Sequence, residues 1–509
     1  VIRGLLDEKD TDLLRQAIAD YTVGSVAQVL GPRGEAALQR GDLCGATREV
    51  SGDGQVQTLI RLFLLGEDVP EAAARAAFGS LPLESATAAG LIAASAGSVK
   101  ALLDLRPYAQ AGNDESPGAD WWVVSDQGAE LRGAPLAADH VLGIGAASLT
   151  LAQATPRLPG GTAVDIGTGC GIQALHLGAH ADSVIATDVS ARALRLAATT
   201  AALSGQSWDL RAGSLLDPVA GDQFDLVVSN PPFVVSDGGG GYDYRDSGLA
   251  GDAVCAALVE RLPSVLAAGG TAQLLANWII PTEVPWQDRV AGWLTGRGCD
   301  AWVWQREVAD PAEYVALWLR DAGEQPGSAR WRSRYQAWLD WFAAAGVAAI
   351  GMGMITLWQG GTCDPVLVIE DVPQALEQPI GAHLPEWHAR QRWLAARGDA
   401  ALLAARLGPV AGLVRDRAEL LGVDGWTEAR TTLRQSYGMR WELETDDAIS
   451  ALVAGCASGE PLLTPVRLLA EALRRSTDEV AAAVLPVVRD LVGRGFLVPA
   501  DLPPSRVTR

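Results

Sequence analysis

Ala163-Val164-Asp165-Ile166-Gly167-Thr168-Gly169-Cys170-Gly171 is the stretch on which the fold turns. A buried strand runs into three alternating glycines, and an apolar helical pattern continues through His180. Such glycines let backbone approach a ligand closely, and the helix N-terminus that follows attracts an anion. A dinucleotide fingerprint would require glycine at 172, where the chain has Ile172. Outward from this stretch, strands and helices alternate. Ser183–Thr187, a short strand near Asp209–Ala212, and Phe224–Ser229 read as strands, with Ala191–Leu203 as a helix. Residues 251–267 read as a helix, then Thr271–Ala276, Trp302–Val308 and Val347–Leu357 as strands, with a helical insertion at about 309–345. This alternation predicts an α/β fold, a parallel sheet with helices on both faces.

Asn230-Pro231-Pro232-Phe233 closes the Phe224–Ser229 run. Two prolines cannot extend a ladder, so the strand must stop there. The stop leaves an amide side chain, a prolyl carbonyl and a ring at the carboxyl end of a strand, the edge where ligands bind in open α/β sheets. Asp188 ends the strand that follows the Asp165 strand, 23 residues after Asp165, where a carboxylate can accept both hydroxyls of a ribose.

On these residues the chain resembles the class I S-adenosylmethionine-dependent methyltransferases. Within them it is similar to the small-domain N-methyltransferases, which comprise ribosomal RNA guanine-N2 and adenine-N6 enzymes and the glutamine methyltransferases of release factors. The resemblance spans about 140–280 and extends toward 358. It implies a Rossmann-like sheet and S-adenosyl-L-methionine as cofactor. It assigns cofactor binding to Asp165, Gly167, Thr168, Gly169, Gly171, Asp188, Ser214 and Asn230, and catalysis to Asn230, Pro231 and Phe233. Many relatives have an acid where this chain has Ser214, a departure that bears on adenine recognition. Tyr244–Asp252 resembles the Asp-x-Gly-Leu stretch that follows the tetrapeptide. The chemistry suits the residues. The Asn230 side-chain oxygen and the Pro231 carbonyl can accept two N–H bonds from a planar amine, turning its lone pair toward an electrophilic methyl, while Phe233 stacks on the acceptor. No metal or general base is required.

Composition narrows the rest. With 509 residues the chain is too long for one core. Its net charge of −21 argues against coating nucleic acid by bulk charge, although not against a local basic groove. Six scattered cysteines (Cys44, Cys170, Cys255, Cys299, Cys363 and Cys456) include no C-x-x-C pair, so neither a disulfide framework nor a zinc site is expected, and a reducing cytoplasm fits. No signal-peptide pattern opens the chain, and its longest uncharged apolar run, near Val347–Trp358, is too short to span a bilayer.

The expected domains are 1–135, helical and winged-helix-like; 136–360, the methyltransferase-like core; and 361–509, again helical and winged-helix-like. In the first, Thr11 is expected to cap a helix, Gln57–Leu65 and Pro70–Phe78 to be helical, and Val99–Leu105 and Trp121–Ser125 to be strands around a polar loop at 111–119. A helix at Pro135–Pro156 leads into the core. Residues 368–440 are expected to be helical and irregular, followed by helices at Asp446–Cys456, Thr464–Arg474 and Thr477–Arg494 and a terminal strand. His140 is expected to be satisfied at a helix end, with a pocket-lining role the lesser reading. His176 and His180, at i and i+4, are expected to pack rather than bind metal. Gly238–Gly241 reads equally as a lid or a solvated loop. Arg330, Arg332 and Arg334, interleaved with Trp331 and Tyr335, read first as an ordinary helix with an aromatic side packed inward and second as an RNA-facing surface.

The chain is therefore expected to be an N-methyltransferase acting on a planar exocyclic amine, with RNA as the favoured macromolecular acceptor and no membrane partner. A release-factor-type protein glutamine is the alternative. A cofactor-binding interaction protein with little catalysis is the alternative of another class. The residues carry no signal of oligomeric state.

Overall fold

The computed structural model describes residues 2–110, 118–132, 136–238, 248–360, 364–423 and 425–503. The chain forms two compact units, residues 1–152 with 158–371, and residues 153–157 with 372–509.

The first unit is built on an eight-stranded sheet: β1 (Thr162–Ile166), β2 (Ser183–Asp188), β3 (Asp209–Ala212), β4 (Phe224–Ser229), β5 (Leu266–Pro281), β6 (Asp300–Ala309), β7 (Val347–Trp358) and β8 (Leu367–Asp371). Their order across the sheet is β8-β6-β7-β5-β4-β1-β2-β3. All pairs are parallel except those made by β7, which runs antiparallel to both neighbours. The chain is thus α/β, as the alternation predicts. The crossovers carry helices α1 (Ile172–Leu177), α2 (Ala191–Leu203), α3 (Ala253–Arg261), α4 (Trp286–Leu294), α5 (Pro311–Asp321) and α6 (Ala329–Ala344).

Local chemistry sets these boundaries. Ser190 caps α2 by accepting from the Ala193 N–H, and Asp310 caps α5 by accepting from Ala312 and Glu313, with Pro311 at the first helical position. Leu194 and Leu196 of α2 are fully buried, worth about 1.5–3 kcal/mol each. β5 is much longer than Thr271–Ala276. It pairs with β4 only as far as Leu274 but with β7 as far as Pro281, so Asn277 and Ile279 project past the point where Pro231 and Pro232 stop β4. The tryptophans of this region pack the sheet. Trp278 stacks on Trp286 at 5.2 Å and donates to Gln305, which is possible because Gly351 opposes it; a Cβ there would lie 2.1 Å from the indole nitrogen. The alternation also continues beyond 360, where β8 adds an edge strand beside β6.

Ahead of the sheet lie Glu8–Ala17 and further helices, a three-stranded sheet of Val69–Pro70, Ser98–Ala101 and Ile92–Ser95, and a hairpin of Leu103–Gln110 with Ala119–Asp126. Residues 111–117 of the expected polar loop are outside the described residues. The first helix is capped by Asp7 and not by Thr11, which sits buried in the first turn and donates to the Asp7 carbonyl. The expected Pro135–Pro156 helix is confined to Ala146–Ala154. The hairpin packs on α2, with Trp122 N–H donating to Ser204 Oγ and Val124 N–H to Thr200 Oγ1.

The second unit corrects the expectation for 368–440. Besides His383–Ala395 and Asp399–Ala404 it contains a long antiparallel hairpin, Leu413–Gly422 with Gly425–Gln435, extended by Glu442–Thr445. Helices Asp447–Cys456, Leu463–Leu473 and Thr477–Gly493 follow, and Leu497–Pro499 pairs with Leu407–Pro409. The hairpin escapes sequence reading because its first arm is mostly exposed and charged through Arg415, Asp416, Arg417 and Glu419, and the second buries alternate residues only from Thr431 to Gln435, two of the three polar. Among the described residues no helix is long and apolar enough to cross a membrane.

Candidate active site

A cavity of about 540 Å³ opens at the carboxyl ends of β1, β2, β3 and β4, within the size range of cofactor sites. Its floor is the turn after β1. Gly167 and Gly169 adopt left-handed φ of 74° and 56°, and a Cβ on either would meet only open space. The turn is held in place by Gly167 and Thr168 N–H groups, both donating to the Thr187 carbonyl of β2. Asp165 is buried at 1% exposure. Its Oδ2 accepts from Thr168 Oγ1 at 2.6 Å and Ala174 N–H at 3.1 Å, while Oδ1 has no hydrogen-bond partner. Burial pushes this carboxyl up to about 7, against the bonds from Thr168 and Ala174, and nearby Asp188 adds to the rise. Asp188 accepts from Gly169 N–H at 2.9 Å through Oδ2 and from Ser190 N–H at 2.8 Å through Oδ1.

The opposite wall is the end of β4. Ser229 is buried and its Oγ donates to the Ile166 carbonyl, tying β4 to β1 just before both strands stop. Asn230, Pro231 and Pro232 line the cavity, and Asn230 Oδ1 is buried without a hydrogen-bond partner. Ser214, beyond β3, also lines it, next to Leu215 at a left-handed φ of 48°. Of the other candidates, Gly171 packs away from the cavity under Trp208. Phe233 is partly buried beside the strand end, edge-on to Trp318 of α5 at 6.0 Å.

Residues 142–284 match the family model described as "Methyltransferase small domain". This stretch is similar to methyltransferase small domains. Models for two domains of unknown function, DUF7059 and DUF7782, match 18–102 and 385–499. The ribosomal RNA small subunit methyltransferase C of Alcanivorax borkumensis is 31% identical over 128 residues, which are 25% of this chain and 35% of that protein. The release factor glutamine methyltransferase of Xylella fastidiosa is 36% identical over 158 residues, 30% of this chain and 52% of that one. The chain thus spans between a third and about half the length of these curated relatives. Among solved structures, the T. thermophilus 16S rRNA N2 G1207 methyltransferase in complex with AdoMet and guanosine has a TM-score of 0.27 and 15% identity, covering 53% of this chain and 67% of that one.

One cavity wall lies just ahead of the residues that match this family model. His140, expected at a helix end, instead lines the cavity from a turn well before the Ala146–Ala154 helix. Its Nδ1 lies 3.7 Å from Asp126 Oδ2. Asp126 in turn accepts from Val141 N–H and from Arg192 of α2. Sequence reading missed Asp126, because nothing in a hairpin residue signals that it will reach the strand ends of a later sheet. The two spaced histidines diverge: His176 is buried, bonded to Tyr108 Oη and edge-on to Trp121, and His180 bonds the Leu158 carbonyl. Among the described residues no cluster of three His, Cys, Asp or Glu could hold a metal ion. In α6, Trp331 and Trp338 are buried, and Arg330 and Arg334 both bond buried Glu324, the ordinary-helix arrangement. Of the lid candidate, only Gly238 is among the described residues; Tyr244–Ser247 and Cys363 are not. Ser236 and Gly251 form an isolated antiparallel bridge.

Proposed function

We propose that this chain is an S-adenosylmethionine-dependent N-methyltransferase acting on a planar exocyclic amine, with an RNA base as acceptor. The observation that carries the reading is Asn230 Oδ1, a buried acceptor without a partner in the wall of a cavity whose floor is a glycine cradle beside Asp188. Leaving such a group unsatisfied costs about 1–3 kcal/mol, which a bound N–H donor offsets. The cofactor fits the residues present. Asp188 places a carboxylate in the cavity wall, the group type that accepts from ribose hydroxyls, Gly167 and Gly169 leave their Cβ positions open, and Asp165 Oδ1 offers a second orphaned acceptor.

When bound, the cofactor supplies an electrophilic methyl on a sulfonium. The chain's own residues supply position and field. Asn230 Oδ1 and the Pro231 carbonyl accept the two N–H groups of the acceptor amine and face the positive charge that develops on its nitrogen. With a methyl donor bound, the methylated nitrogen would carry one proton too many, and Asn230 Oδ1 and the Pro231 carbonyl would hold it until that proton passed to water. Phe233, held edge-on by Trp318, flanks the acceptor plane. The Phe that ends the tetrapeptide and the similarity to ribosomal RNA enzymes support RNA. The second reading, a protein glutamine, draws support from the net charge of −21, from Arg330 and Arg334 being bonded to Glu324, and from the release-factor relatives.

Tritiated S-adenosylmethionine added to a cell extract with this protein should label a macromolecule. Asn230→Ala should cut labelling about 10²–10³-fold, with cofactor affinity by calorimetry within about threefold. Unchanged labelling in that variant overturns the mechanism. Ribonuclease-sensitive label supports RNA, and protease-sensitive label supports the glutamine reading. Cofactor binding with no labelled fraction supports an interaction protein instead.

A further inference from the structure

The peptide of Val235, two residues past Phe233, has both polar groups taken by the helical insertion between β6 and β7. Its N–H donates to Tyr314 Oη of α5 at 2.9 Å, and its carbonyl accepts from Trp338 Nε1 of α6 at 3.0 Å. Val235 and Tyr314 are fully buried. Tyr314 Oη also accepts from Asn277 Nδ2 at 2.8 Å, on the part of β5 that outruns β4. One phenol oxygen therefore joins the insertion, the long strand and the segment leaving the tetrapeptide. The rings enclose the same point: Trp318 stands edge-on to both Phe233 and Tyr314, and Trp338 and Phe342 pack around Tyr314.

Pro231 and Pro232 have no N–H to donate, and β5 stops pairing with β4 at Leu274. Beyond that point the Val235 peptide is held by side chains instead of a strand partner. Resting on the methyltransferase reading, we propose that Tyr314 and Trp338 are positioning residues for methyl transfer. They hold Asn230–Phe233 in register with the cofactor cradle and make the α5–α6 insertion a structural part of the acceptor site. Asp165, Gly167, Gly169 and Asp188, the groups proposed to cradle the cofactor, lie at the ends of β1 and β2 and in the turn between β1 and α1, outside this bracing. Loosening it should therefore misplace the acceptor and spare the cofactor. A displacement of about 1 Å can cost on the order of 10²-fold in rate.

The test uses the full chain, tritiated S-adenosylmethionine, and the extract fraction that the unaltered protein labels. Tyr314→Phe removes one oxygen and keeps the ring. It should lower kcat about tenfold or more, with the KM and Kd for S-adenosylmethionine within about twofold. Trp338→Phe should act in the same direction, while Trp331→Phe, buried in the same helix but not bonded to Val235, should leave kcat within about twofold. A Tyr314→Phe kcat within twofold of the unaltered chain overturns the proposal. So does a kcat loss no larger than that of Trp331→Phe, or one matched by a parallel rise in cofactor KM, because either is general loosening. If Trp338→Phe does not fold, Tyr314→Phe decides alone. If the unaltered chain labels no fraction, the methyltransferase reading itself fails and this proposal fails with it, an outcome distinct from an active chain insensitive to Tyr314.

Discussion

Two carboxylates in one cavity do different work because their surroundings differ. Asp188 receives a backbone N–H on each oxygen at the cavity edge, whereas Asp165 is desolvated beneath the turn. Asp188→Ala removes the acceptor proposed for the ribose and frees the Gly169 N–H. It should weaken S-adenosylmethionine binding about 10- to 100-fold, at about 1.4 kcal/mol per tenfold, measured by calorimetry. Asp165 makes a pH prediction. Its carboxyl titrates near 7 in the folded chain, above its ordinary 3.8, so the folded state holds this proton more tightly. The stabilisation is complete below about pH 4 and is lost as pH rises through about 7, at up to about 1.4 kcal/mol per pH unit. Urea unfolding at pH 5 and 7.5 should show a steeper fall for the unaltered chain than for Asp165→Asn. Equal slopes would refute the assignment.

At the scale of elements, the turn between β1 and α1 depends on glycines for two different reasons. Gly167 and Gly169 leave space for a ligand, but Gly171 leaves space for the protein. Its φ is 94°, and an added Cβ would lie 2.7 Å from the Trp208 ring. Gly171→Ala should therefore cost about 2 kcal/mol or more in urea unfolding, from backbone strain and displacement of Trp208. A loss below about 0.5 kcal/mol would show that the ring moves aside freely. Much of this element was legible in sequence: β1, β2, β3, β4 and α2 fall where apolar runs and caps place them. The division of labour among the three glycines was not, because Trp208 arrives from a separate segment after α2. Phe233 is a similar case. The sequence marks it as an aromatic at a strand end, and its orientation is set by Trp318, 85 residues later in the chain.

For the whole molecule, every described residue lining the cavity lies between 139 and 254, inside the first compact unit. A chain of residues 1–371 should bind S-adenosylmethionine with a Kd within about threefold of the full chain by calorimetry; a loss beyond tenfold would assign cofactor binding a dependence on residues 372–509. The sequence by itself determined the doubly wound sheet, the cradle at Asp165–Gly171, the acid at Asp188 and the strand stop at Asn230. All of these follow from short-range rules: apolar periodicity, glycine's access to positive φ, and proline's missing N–H. Only the tertiary structure decided that His140 walls the cavity with Asp126 packed behind it, and that Tyr314 and Trp338 take both bonds of Val235. It also decided that the charged stretch 413–435 pairs as a hairpin. Those arrangements join residues tens to a hundred positions apart, or rest on backbone pairing without an apolar pattern. The side chains involved are ordinary in their local windows, and they acquire their roles only when packing brings their polar atoms within hydrogen-bonding distance.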